Sequence, residues 1–276
     1  LAPRERVLIG GESGSGKTYA WLSIARYNPQ SQFYVAEADD GVTKVLSLEY
    51  PDVLANGNVH GVRNENGIWQ PPDLIQEWVD FRHFVETLKE FKESGQLKES
   101  DWIIVEGIDL IKNTITYNYI DKVYKIDRKT KRAITDPWDA IIAQRSRGSP
   151  ILDPSDRDAI NSEYEAQLTW PAYISQCNLV GTAAISRINF DSDYADKGVK
   201  EYYASLGTPL RIDGHKRSPR MFDTLIYLFA GNTYQMQILK DRGIGRQISL
   251  VDTGEFYLSL EKFRTTTMSA RSLGVS

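Results

Sequence analysis

The chain has 276 residues, 25% of them charged and 41% hydrophobic, with a net charge of −4. This is the composition of a globular protein able to bury one large core, and no apolar run approaches the roughly 20 residues that cross a bilayer. A single cysteine, Cys177, excludes a disulfide framework and suits a reducing cytoplasm, while the net acidity confines any polyanion contact to local basic clusters.

In chain order, residues 6–11 (RVLIGG) read as a buried strand. GESGSGKT follows at once and opens a helical pattern over residues 16–27. Together they fit G-x-x-x-x-G-K-[ST] at Gly11, Gly16, Lys17 and Thr18, in the strand–loop–helix setting that this motif requires. Gly11, Gly14 and Gly16 allow backbone conformations closed to other residues, so that successive N–H groups turn toward one anion. The helix starting near Lys17 adds its positive end. The expected nucleotide contacts are Gly11, Glu12, Ser13, Gly14, Ser15, Gly16, Lys17, Thr18 and Tyr19. Lys17 would reach the β- and γ-phosphates and Thr18 would bind Mg²⁺. The guanine-reading Asn-Lys-x-Asp is absent, which favours ATP.

Further strands are expected at 32–38 (QFYVAEA), 58–63 (NVHGVR), 101–107 (DWIIVEG) and 177–185 (CNLVGTAAI). Helices are expected at 39–50, 71–95 and 153–176. The clearest of these repeats Leu74, Trp78, Phe81, Val85, Leu88 and Phe91 at spacings of three and four. Strand–helix alternation predicts an α/β fold with a mostly parallel sheet covered on both faces. After residue 222 the pattern changes to short strands joined by Gly/Asn turns, read as antiparallel additions. One domain is therefore expected over residues 1–262, with a mobile tail at 263–276. Two charged stretches within it, 122–153 and 187–220, resist assignment and read as loop insertions. Cys177 is expected to pack in the core. His60, His83 and His215 lack metal-ligand spacing.

The strand DWIIVEG ends on Glu106, followed by Gly107, Ile108 and Asp109. An apolar strand ending in an acid, then a small residue, resembles the magnesium-binding strand of RecA-like P-loop ATPases, with Glu106 standing where Asp is usual. Asp109 is a second acid nearby, or a cap for the following helix. The resemblance extends to VAEADDG, where Glu37 and Asp39 stand in place of an acid-x-acid whose second member polarises the attacking water. Asp39 matches that position, Glu37 is close enough to substitute, and a surface helix cap is the alternative for either. In NLVGTAAISR the usual polar sensor is missing, so γ-phosphate sensing falls to Thr182, Ser186 or Arg187, or is absent. QILKDRG offers Lys240 and Arg242, similar to the Lys-x-Arg pair that hexameric relatives extend to a neighbour's γ-phosphate.

The resemblance covers roughly residues 6–251 and is greatest to phage-encoded RecA-like ATPases of recombination and strand annealing. It implies a RecA-like P-loop fold, ATP and Mg²⁺ as cofactors, and hydrolysis at the interfaces of a ring or filament. It also implies a cytoplasmic location, in the host cell if the chain is phage-encoded. In such proteins two loops face DNA, and the two unassigned stretches fall in the corresponding positions. One carries Lys122, Lys125, Arg128, Lys129, Lys131 and Arg132; the other carries Arg211, Lys216, Arg217 and Arg220. Nearby tyrosines would stack on the bases of single-stranded DNA. A solvated charged face is the alternative for both runs. Two other functions fit a P-loop chain of this kind: a viral genome-packaging motor, and a nucleotide-gated assembly protein with little turnover.

Overall fold

The computed structural model describes residues 4–38, 41–61, 78–124, 154–191, 196–230, 234–242 and 248–252. The strands are β1 (Arg6–Gly11), β2 (Phe33–Glu37), β3 (Val59–His60), β4 (Trp102–Glu106), β5 (Asn178–Ala183), β6 (Ile185–Arg187), β7 (Leu210–Ile212), β8 (Thr224–Ala230), β9 (Tyr234–Asp241) and β10 (Ile248–Asp252). The helices are α1 (Lys17–Tyr27), α2 (Val42–Glu49), α3 (Pro51–Asn56), α4 (Trp78–Glu93), α5 (Ile108–Tyr124), α6 (Pro154–Thr169) and α7 (Lys197–Ser205).

Eight strands form one sheet in the order β10-β9-β8-β1-β5-β4-β2-β3. The six from β8 to β3 run parallel, and β9 and β10 add antiparallel at one side. This is the expected α/β arrangement: a mostly parallel sheet, helices on both faces and antiparallel strands late in the chain. One detail differs from the expectation. The first of the late strands, β8, pairs parallel with β1, because residues 221–223 bring the chain back to the end of the sheet where β1 begins.

The period of two along each strand sorts the core onto the two faces. Leu8, Tyr34, Ala36, Ile103, Val105, Leu179, Leu225 and Tyr227 point to one face, where they meet Phe81, Val85, Leu88 and Phe91 of α4 and apolar residues of α5 and α6. The stripe read from the sequence is thus buried at Phe81, Val85, Leu88 and Phe91 of α4; Leu74 and the side chain of Trp78 lie outside what is described. Val7, Ile9, Phe33, Val35, Trp102, Ile104, Val180 and Ile226 point to the other face and pack against α1, α2 and α3. Cys177 is buried in the first of these layers, and burial pushes its thiol up to about 11.

Much of the stretch 187–220 is ordered structure, contrary to its reading as a loop. Asp196 caps α7 by accepting from the Gly198 and Val199 amides, β6 and β7 pair as an antiparallel ribbon, and Ser218–Arg220 forms a single 3-10 turn. The ribbon lies over the base of the phosphate loop. A Cβ on Gly10 would approach the Ile185 side chain at 2.8 Å and that of Ile212 still more closely. Among the described residues, no helix is long and apolar enough to cross a membrane. Residues 125–153 and the tail 263–276 lie outside the described residues.

Candidate functional site

The loop after β1 has the shape its glycines predict. Gly14 and Gly16 take φ values of 75° and 89°, the left-handed region in which side chains are disfavoured. Gly11 is needed for space, since a Cβ there would run into the Ser15 hydroxyl and approach the Leu228 carbonyl at 2.9 Å. Ser15 is fully buried within the loop, and its Oγ has no hydrogen-bond partner among the described residues. The Lys17 ammonium bends back over the loop and donates to the Gly11 and Glu12 carbonyls at 2.9 and 3.0 Å. These carbonyl contacts satisfy the cation in a way that a phosphate oxygen would replace. The loop therefore fits a polyphosphate: glycines at the turns, amides at a helix start, and one cation folded over the cradle.

β5 lies between β1 and β4, so the acid strand is two strands removed from the phosphate loop, roughly 10 Å away at ordinary strand spacing. Alternation along β4 turns Glu106 to the face that carries α1. There its carboxylate accepts from the Thr18 hydroxyl at 2.7 Å and from the Trp21 indole N–H at 2.6 Å. The two residues expected to bind Mg²⁺, Thr18 and Glu106, are thus in direct contact. A hard cation takes such oxygen ligands, and the hydroxyl and carboxylate form a suitable pair. Trp21 went unnoticed in the sequence because an interior apolar position of a helix carries no mark of its partner.

Glu37 ends β2 as the register partner of Glu106 on the neighbouring strand, fully buried on the same face. It accepts the Val42 amide at the start of α2, and so acts as a helix cap from the interior rather than from the surface. Asp39, its expected partner in polarising water, lies outside the described residues. Thr182, one of the three candidate sensors, is buried and accepts the Gly107 amide at 2.9 Å. Ser186 donates to Asp213 at 2.6 Å and accepts from Arg211 at 3.1 Å; Arg187 is exposed on β6. Asp109 sits at the start of α5 beside the turn at Gly214, and burial raises its carboxyl above the usual range.

Lys240 and Arg242 lie at the opposite end of the sheet. Lys240 is level with Leu225 on β8 and hence with Leu8 on β1, while Arg242 hydrogen-bonds at the level of Asp223. Along β1 the level of Arg242 is five residues from Gly11, roughly 16 Å, and that of Lys240 three residues, roughly 10 Å. Both also lie two strands across, so the pair is remote from its own phosphate loop. Both cations reach the 219–223 segment. Lys240 donates to the Pro219 and Phe222 carbonyls at 3.1 and 2.7 Å, and burial lowers its ammonium to about 8. Arg242 lies 3.3 Å from Asp223, which also receives two hydrogen bonds from Arg6 at 2.7 and 2.8 Å.

Four of the cations proposed for nucleic acid fall in the described structure with their side chains. Each has a partner close by: Arg211 with Asp213 at 3.7 Å, Lys216 with Asp196 at 2.8 Å, Arg217 with Glu165 at 3.1 Å, and Arg220 over the Tyr202 ring at 5.8 Å. The acids Asp196 and Glu165 come from α7's cap and from α6, distant in sequence, so this surface is less basic than its local composition. Lys122 lies in α5; Lys125, Arg128, Lys129, Lys131 and Arg132 lie outside the described residues.

No protein-family model matches the chain, and no curated protein sequence does. Among solved structures, it resembles a RadB recombinase at 10% identity and a TM-score of 0.44, over 90% of this chain and 86% of that one. It also resembles a prototypical ATPase from the type III secretion system of pathogenic bacteria, at 12% identity and a TM-score of 0.38. That match covers 81% of this chain and 52% of the other, so the chain spans about half the length of the secretion ATPase.

Proposed function

We propose that this chain binds ATP with Mg²⁺ and hydrolyses it as a RecA-like ATPase that acts on DNA in a ring or filament. The observation that carries the reading is the meeting of Thr18, at the end of a well-formed phosphate loop, with Glu106 across the sheet at 2.7 Å. The Gly11–Thr18 loop would hold the phosphates, with Lys17 exchanging its carbonyl partners for phosphate oxygens. Thr18 and Glu106 would hold Mg²⁺, which neutralises charge developing on the phosphates. Asp39 or Glu37 would orient the attacking water. The use of Glu37 as the α2 cap favours Asp39 for that role.

The distance of Lys240 and Arg242 from their own loop supports a role in a neighbouring protomer's site, since neither can serve in cis. A residue of this kind contributes about 10³–10⁵ in rate, so an isolated protomer would turn over slowly. For DNA, Arg211, Lys216 and Arg217 flank Gly214, which packs against Asp109 at the start of α5, while Arg220, in the 219–223 segment, lies beside Arg242. Phosphates would compete with Asp213, Asp196 and Glu165 for these cations. That competition makes binding sensitive to salt.

A second reading, a nucleotide-gated assembly protein with little turnover, is favoured by one set of contacts. Glu37 is engaged as a cap and Thr182 as a brace for Gly107, so both are committed to structural contacts at the positions expected to orient water and to sense the γ-phosphate. The deciding experiment measures ATPase rate with and without single-stranded DNA, for the native protein and Lys17→Ala. DNA-stimulated turnover lost in Lys17→Ala supports the first reading. Tight ATP binding with negligible turnover under all conditions supports the second.

A further inference from the structure

Thr18 and Trp21 stand three residues apart on α1 and therefore share one face of the helix. That face looks onto the end of β4, and each residue gives one donor to Glu106: the hydroxyl to Oε1 and the indole N–H to Oε2. Trp21 is 0% exposed and Glu106 1% exposed, so neither contact is a surface accident. Phosphate binding places no demand on the residue three beyond Thr18, and any apolar side chain would fill that part of the core. A buried indole, by contrast, needs an acceptor, and this one finds it in the acid expected to bind metal.

We propose that Trp21 is a positioning residue for the magnesium site, holding the Glu106 carboxylate by Oε2 so that Oε1 faces the ion when the Thr18 hydroxyl turns to it. The proposal rests on the ATP–Mg²⁺ reading above and adds the residue that orients its acid. It also accounts for the glutamate. An aspartate carboxylate ends one C–C bond, about 1.5 Å, nearer the strand and, with the backbone in place, falls short of both donors on α1. Glu106 and Trp21 form a matched pair, the longer acid reaching the indole and the indole fixing the longer and freer arm.

The test is calorimetric titration of ATP into the native protein and Trp21→Phe, in MgCl₂ and again in EDTA. Phenylalanine keeps the apolar bulk and lacks the N–H. The native protein should bind ATP more tightly in MgCl₂ than in EDTA. Trp21→Phe should keep its affinity in EDTA and lose about tenfold or more of the Mg²⁺ enhancement, the usual scale for removing a partner of a metal ligand. An undiminished enhancement in Trp21→Phe overturns the proposal, and so does an equal loss in both buffers, which would mark general damage to α1. Failure of the native protein to bind ATP in either buffer removes the ATP reading itself, a result distinct from both. Should Trp21→Phe not fold, the native protein provides the second measurement. Its Trp21 indole N–H resonance, in the ATP-bound state, should shift on addition of MgCl₂; a resonance that stays in place overturns the proposal.

Discussion

The Thr182 hydroxyl accepts the amide proton of Gly107 at 2.9 Å and so ties the end of β5 to the turn just beyond Glu106. Gly107 holds a φ of 79° and both groups are buried, which leaves that amide dependent on this acceptor. Thr182→Val keeps the side-chain shape and removes the acceptor. Urea unfolding should show a loss of about 1–3 kcal/mol, the cost of a buried unsatisfied donor. Thr182→Ser should recover most of it.

Lys17 separates stability from binding. Among the described residues its ammonium hydrogen-bonds to loop carbonyls, at the edge of solvent. Lys17→Ala should therefore leave the thermal midpoint nearly unchanged while lowering ATP affinity at least tenfold, measured by calorimetry. A large fall in the midpoint with unchanged affinity would contradict the role given to the loop.

Lys240 should make stability depend on pH. Burial lowers its ammonium to about 8 from an ordinary 10.5. Between these values the unfolded chain holds a proton that the folded chain has released, so this group makes stability rise with pH across that window. Lys240→Met removes the contribution. Urea unfolding at pH 7.5, 8.5 and 9.5 should show a stability-versus-pH slope that is more positive for the native protein than for the variant.

The remoteness of Arg242 from its own loop predicts complementation. Lys17→Ala and Arg242→Ala should each hydrolyse ATP poorly alone. Mixed in equal amounts, they should regain activity, because some junctions then join an intact loop to an intact arginine. The rate per protomer should also rise with protein concentration. No recovery on mixing would rule out the shared site.

Removing the carboxylate shared by Arg6 and Arg242 should loosen the rim of the sheet. Asp223→Ala leaves the largely buried Arg6 guanidinium without its two-point partner. Thermal and urea unfolding should show a loss of about 1–3 kcal/mol, below the range for a fully buried pair because both groups retain some contact with water.

The elements that signal themselves locally were legible in the sequence. β1, the phosphate loop and α1 follow from a four-point motif in its required setting, and β2, β4 and β5 follow from apolar runs bounded by turns. The stripe Phe81, Val85, Leu88 and Phe91 announced α4. α3 carried a signal that went unread: Pro51 at its first turn and Gly57, with φ 66°, at its end. The direction of β8 was not legible, since a short apolar strand has no sequence feature that distinguishes parallel from antiparallel pairing. The Trp21–Glu106 bond joins residues 85 apart and depends on which faces α1 and β4 present to each other. Likewise, the acids that neutralise Lys216 and Arg217 come from other helices, so the charge of that surface cannot be counted along the chain.

β1 lies in the interior of the sheet between β5 and β8, whose residues are translated some 170 and 217 positions after its own. Until those strands are translated it has no neighbour on either side, and the loop it carries has no platform. The phosphate loop therefore matures only after β8 is made, and β1 stays an unpaired apolar strand while the intervening residues are synthesised. Such long-range closure is slow and prone to aggregation. Yield in a heterologous host should depend more on chaperone supply and growth temperature than on the stability of the finished protein.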